Sequence, residues 1–153
     1  MKFSNFFKIN NDKSINLYVD MDGVLAEYDI GNFDYSTIRP IKSIIKKIED
    51  LNKLENVNVN VLSICKTNNI IEQKYGWFKK HANFLKEEQL IFLSKEKEEN
   101  KIFSSKELKY NFLMNNKIDD SLIVLVDDDN GIISYIRKNT DDIVLFQVSS
   151  LID

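Results

Sequence analysis

A chain of 153 residues, 43% hydrophobic and 29% charged, has the composition of an ordinary globular domain and the length to bury a core. A net charge of −3 and a pI near 5.3 argue against general affinity for nucleic acid or anionic membranes, and no apolar run approaches a bilayer span. The single cysteine, Cys65, can form no internal disulfide, which suits a reducing compartment.

Residues 1–7 carry aromatics but no signal-peptide core, so a cytoplasmic protein is expected. Four glycines and one proline leave little chain for linkers, and one domain over 1–153 is the expectation. Residues 1–14, with three phenylalanines among Lys and Asn, read either as an edge strand or as an arm packed on the domain. A first strand over about 15–20 ends at Asp20-Met21-Asp22-Gly23. Residues 27–39 look irregular, with Phe33 and Tyr35 as lids over a site. Pro40 suits a first helical position, and Ile41, Ile44, Ile45, Ile48 and Leu51 follow at helical spacing as a core stripe.

Val57–Leu62 alternates and is β-branched, a second strand running into the polar Ser63–Asn69. Residues 70–86 read as a helix with Ile71, Tyr75, Phe78, Ala82 and Leu85 inward, and with Trp77 and His81 on the remaining face. Leu90–Leu93 is a short third strand. The mixed-charge run Lys95–Lys101 reads as solvated surface. Ser104 and Ser105 offer caps for a helix through Leu113. Leu122–Val126 is apolar throughout, as in a strand buried on both faces; it breaks into Asp127-Asp128-Asp129, the last a turn or cap residue. A short helix over about 132–138 leads to a fifth strand, 143–146. Strand and helix alternate throughout, the pattern of an α/β, doubly wound Rossmann-like parallel sheet of five strands with helices on both faces.

Asp20 and Asp22, two apart at a strand end, point to the same side if the chain stays extended, and Gly23 permits a sharp reversal. Two carboxylates held 4 Å apart repel by about 4 kcal/mol at an effective dielectric near 20, so a site that keeps them together calls for a cation. In such sheets ligands lie at the carboxyl ends of the strands. Those ends gather Asp20, Asp22, Ser63, Asp127 and Asp128, and a lysine ahead of the fourth strand, Lys106 or Lys97, could reach them. Oxygen ligands of this kind suit Mg²⁺ completed by a substrate phosphate.

At this point the chain resembles the haloacid dehalogenase superfamily of phosphohydrolases. The resemblance rests on Asp20–Leu25 as first motif, Ser63 as second, a lysine as third and Leu125–Asp128 as fourth, and it covers about residues 15–146. Asp22–Glu27 and the paired acids after strand four look most like the branch containing 5′(3′)-deoxyribonucleotidases. The resemblance implies that Asp20 is the nucleophile, Asp22 the acid–base group, Ser63 a hydrogen-bond partner of the phosphoryl oxygens, and Lys106, with Lys97 as its rival, the neutralising lysine. It implies Mg²⁺ held by Asp20, the Asp22 carbonyl, and Asp128 or Asp127, with Asp128 favoured. Lys66, Gly23 and Lys97 fall on the substrate side, with Phe33, Tyr35 and Trp77 as further contacts.

Only about 40 residues separate Asp22 from Ser63, which leaves no large cap domain. Minimally capped members use macromolecular substrates or a neighbouring subunit of a homo-oligomer as a lid. The expected activity is that of a Mg²⁺-dependent 5′-nucleotidase acting on a small phosphorylated substrate. The alternatives are a phosphatase acting on a nucleic-acid end or a phosphoprotein, a receiver-like phosphoacceptor module, and a non-catalytic phosphate-binding relative.

Overall fold

The β-branched and apolar runs pair as one parallel sheet. Its strands, in a computed structural model that describes residues 1–152, are β1 (Ser14–Val19), β2 (Val57–Cys65), β3 (Leu90–Ser94), β4 (Ser121–Asp127) and β5 (Ile143–Gln147). Their order is β3-β2-β1-β4-β5, with every neighbouring pair parallel. Five helices connect or flank them: α1 (Phe3–Ile9), α2 (Lys42–Asn52), α3 (Asn68–His81), α4 (Ser105–Asn115) and α5 (Asn130–Asn139).

Side chains two apart on a strand share a face, and the core divides accordingly. Ile15, Leu17 and Val19 of β1 pack with Val57, Val59 and Val61 against apolar residues of α1, α2 and α3. Tyr18, Leu62, Ile123 and Leu125 pack on the opposite face with Leu113 of α4 and Ile132 and Ile136 of α5. No helix among the described residues is long and apolar enough to cross a membrane.

The first residues form no edge strand; they pack on the domain as the other reading has it, and they do so as a helix. They form α1, which inserts Phe3 and Phe6 edge-on against Phe146 of β5, with ring centroids 5.2 and 5.7 Å apart. Pro40 is not at a helix start. Glu27 N–H donates to the Arg39 carbonyl and Ile41 N–H to the Leu25 carbonyl, which keeps residues 39–41 extended and delays α2 to Lys42. Helix α3 spans Asn68–His81 rather than 70–86, and its buried face is Ile70, Lys74, Trp77 and Phe78. Trp77 is therefore inside rather than on the open face, and its Nε1–H donates to the Ile38 carbonyl at 2.9 Å.

Register places the acids. Val19 lies opposite both Val61 and Val126, and Asp20 N–H still donates to the Val126 carbonyl at 2.9 Å. The ladder thus carries Asp20 to the side of Asp127 just past the end of β1.

Helix α4 begins in a capping box: the Ser104 hydroxyl accepts from Glu107 N–H while the Glu107 carboxylate accepts from Ser104 N–H. Ser104→Ala is expected to lower stability by about 1 kcal/mol. Urea unfolding should show this as a lower midpoint with an unchanged m-value.

Candidate active site

At the carboxyl ends of β1, β2 and β4, with Ser63 still inside β2 rather than in a turn after it, the chain lays polar side chains around an open cavity of about 400 Å³, lined by Asp20, Asp22, Ser63, Lys109, Asp127 and Asp128 among others. Asp20 and Asp127 are both buried, Asp127 completely. Between them lies the Lys109 ammonium, 3.0 Å from Asp20 Oδ1 and 2.6 Å from Asp127 Oδ2, itself only 2% exposed. Burial alone would pull the Lys109 pKa down, but Asp20 and Asp127 outweigh it and hold the amine firmly protonated. Burial pushes the Asp20 carboxyl well above the usual carboxylate range. Lys109 opposes that rise, while Asp127 and Asp128 add to it.

One oxygen each from Asp20, Asp127 and Asp128 lie within 4.8 Å of one another. Both oxygens of Asp127 already have protein partners: Lys109 takes Oδ2, and Asp129 N–H donates to Oδ1 at 2.9 Å. Asp128 lies over Gly23, which has φ +82°; a Cβ there would collide with the Asp128 carboxylate. The close approach and the left-handed backbone together demand glycine at this turn. Asp129 stands apart as the α5 cap, accepting from Gly131 and Ile132 N–H.

A second buried lysine completes the group. Lys74 of α3 is 1% exposed, and its Nζ donates to Ser63 Oγ at 2.7 Å, Asp22 Oδ2 at 3.2 Å and the Ile64 carbonyl at 3.3 Å. Tyr35 donates its hydroxyl to Asp22 Oδ1 at 3.0 Å. Burial, and then the Asp22 charge, push the Tyr35 phenol strongly upward, so it stays a donor. Four carboxylates thus face two ammonium groups, an excess of negative charge that one divalent cation would cancel.

The structure brings Asp20, Asp22, Ser63, Asp127 and Asp128 together as the strand ends suggested. It does not bring Lys106 to them. Lys106 is exposed and lies over the Tyr135 ring of α5, 5.3 Å from its centroid; less than one turn later on α4, Lys109 takes the place expected of it. Lys97 is also displaced, exposed at the start of a short 3₁₀ turn, Glu98–Asn100.

Neither Lys109 nor Lys74 was singled out from sequence, yet both carry a readable mark. Each interrupts the buried stripe of its helix, Lys109 beside Leu108 and Leu113, Lys74 between Ile70 and Phe78. A lysine inside an apolar stripe must meet acceptors where the stripe ends.

Asp22 turns its carboxylate away from the three-acid cluster toward Lys74 and Tyr35. It borders a second cleft, of about 440 Å³, whose lining includes Tyr28, Phe33, Tyr35, Ile38, Lys66 and Ile70. Lys66 stands over the Phe33 ring at 5.3 Å. Trp77 is not part of this lining; it pins Ile38 from beneath.

No protein-family model matches the chain, and comparison with curated protein sequences gives no match. Among solved structures, the fold is similar to the N-terminal part of a Bacteroides fragilis protein containing a phosphatase domain complexed with Mg. The similarity has a TM-score of 0.58 at 15% identity and covers 92% of this chain but 38% of that one. At this identity the likeness establishes the shared fold.

The raised carboxyl of Asp20 has a consequence for stability. A carboxylate whose folded pKa exceeds its unfolded value costs stability above both and nothing below both. In metal-free protein Asp20→Asn is therefore expected to melt higher than the parent at pH 7–8. The advantage should shrink as pH falls toward about 4, the range of an unfolded aspartate. Thermal melts across that range in EDTA test it.

Proposed function

We propose that this chain is a Mg²⁺-dependent phosphatase of the haloacid dehalogenase type, hydrolysing phosphate monoesters through an aspartyl-phosphate on Asp20. The observation that carries this reading is the convergence at one rim of Asp20, clamped by Lys109, with Asp22, the Ser63 hydroxyl and the Asp127–Asp128 pair. The fold shared with a Mg-complexed phosphatase domain supports it.

Asp20, Asp128 and the Asp22 carbonyl would hold the ion, which supplies positive charge against the phosphoryl oxygens and a template for their orientation. A carboxylate oxygen of Asp20 bonds to phosphorus as the ester P–O bond breaks, and Asp22 gives its proton to the departing oxygen. Asp22 then takes a proton from water as that water attacks phosphorus. The bond to Asp20 breaks and inorganic phosphate leaves. Lys109 keeps its charge throughout and balances the carboxylates around Asp20. Ser63 has its acceptor side occupied by Lys74 Nζ, which leaves its O–H to donate to a phosphoryl oxygen.

A (deoxy)ribonucleoside monophosphate is the substrate this reading favours. The cleft beside Asp22 is lined by Lys74 and not by Lys109. It offers an aromatic ring, Phe33, and a cation, Lys66, to a flat leaving group. The receiver reading is disfavoured by strand order: β3-β2-β1-β4-β5 is the Rossmann arrangement, whereas receivers follow 2-1-3-4-5.

A screen of nucleoside monophosphates, sugar phosphates, a 5′-phosphorylated oligonucleotide and a phosphopeptide, each with Mg²⁺ and with EDTA, tests metal need and substrate class together. Mononucleotides should be turned over fastest, and only with the metal. Asp20→Asn should lose on the order of a thousandfold or more in kcat. Lys109→Met should be comparably crippled, whereas Lys106→Met should keep kcat/KM near the parent value. Full activity in Asp20→Asn would remove the nucleophile from this scheme.

A further inference from the structure

We propose that Lys74 and Tyr35 are positioning residues for Asp22, and that Lys74 acts on catalysis through Asp22 and Ser63 rather than by gripping the phosphoryl group. The inference rests on the preceding reading of Asp22 as proton donor and names what aims it.

An ammonium has three N–H donors, and those of Lys74 are matched by three protein acceptors, Ser63 Oγ, Asp22 Oδ2 and the Ile64 carbonyl. None is left pointing into the cavity for a phosphate. Packing does not explain the residue, because a hydrocarbon of similar size would fill the space between Ile70 and Phe78 without desolvating a charge. Its acceptors explain it. The Tyr35 hydroxyl takes the other carboxylate oxygen of Asp22, so the two donors hold the group at both ends and fix its torsion.

Both clamps are anchored to one helix. Gln73 of α3 accepts from Tyr35 N–H at 3.1 Å, and Trp77, one turn on, binds the Ile38 carbonyl at 2.9 Å. The loop that carries Tyr35 is thereby stitched to the helix that carries Lys74. In-line displacement requires the proton donor to face the leaving oxygen on the side away from Asp20. A misplacement of about 1 Å costs on the order of a hundredfold in rate.

The consequence falls on the leaving group. A poor leaving group, such as phenolate, needs its proton delivered in the transition state, whereas 2,4-dinitrophenolate departs without one. A residue that only grips phosphate, or only stabilises the fold, affects both esters alike. One that aims the donor affects them unequally.

The experiment measures kcat/KM with Mg²⁺ for a series of aryl phosphates from phenyl to 2,4-dinitrophenyl. It compares the parent protein, Asp22→Asn, Lys74→Met and Tyr35→Phe. Lys74→Met is expected to lose at least about tenfold more on phenyl phosphate than on the dinitrophenyl ester, in the direction set by Asp22→Asn. Tyr35→Phe should show the same tilt, smaller by a few-fold. Equal losses across the series in Lys74→Met and Tyr35→Phe, with the tilt present in Asp22→Asn, would overturn this proposal and leave the phosphatase reading standing. No tilt in Asp22→Asn, or no hydrolysis by the parent, overturns the reading on which it rests and this inference with it. Should Lys74→Met fail to fold, Tyr35→Phe, which keeps the buried ring, decides the matter alone.

Discussion

The organisation of this protein depends on two ammonium groups buried among four carboxylates. Lys109 lies between Asp20 and Asp127, and Lys74 between Asp22 and Ser63. Neither pair resembles a surface ion pair, which contributes little. Removing either lysine would strand buried carboxylate charge in low-dielectric surroundings, a defect of several kcal/mol. The lysines do not cancel the cluster fully, and the remaining negative charge is what suits the rim to a divalent ion. Burial, and with it the charge of Asp127 and Asp128, raises the Asp20 carboxyl against the pull of Lys109, so the crowded rim is held at some expense to the resting fold.

Sheet topology makes this crowding possible. With β1 in the centre of the order, its two neighbours are β2 and β4. Residues at the carboxyl ends of those three strands therefore meet without any long loop. Asp20 is carried in by the β1–β4 ladder, Ser63 by β2, and the paired acids by β4. Strand order reverses at β1, and ligands of open α/β sheets bind at that crevice. Gly23 then turns the chain under Asp128 at a distance that no side chain would allow.

The two helices that follow β2 and β3 divide the remaining work. Helix α4, started by its capping box, brings Lys109 against Asp20. Helix α3 holds Lys74 against Asp22 and ties down the loop with Tyr35 and Ile38. Asp22 belongs to both halves, since it borders the acidic cavity and the aromatic cleft. A phosphoryl group in one and its leaving group in the other would meet at that residue.

Much of this was legible in the chain itself. Alternation of β-branched strands with amphipathic helices determines a parallel sheet, because period 2 and period 3.6 cannot be exchanged. Acids and a serine directly after apolar runs must then collect at one rim. The sequence also limited Asp129 to a turn or cap residue, from its place before a helical run, and the structure makes it the α5 cap. Tertiary structure alone decided which lysines serve. Lys106 and Lys109 lie less than one turn apart on α4, and the roll of that helix on the sheet turns one toward Tyr135 and the other toward Asp20. Lys74 reaches Asp22 across 52 positions of sequence, and Phe6 finds Phe146 across the whole chain. Hydrophobic period reports which face of a helix is buried; it does not report what lies beneath that face, and for a buried charge the partner beneath is what matters.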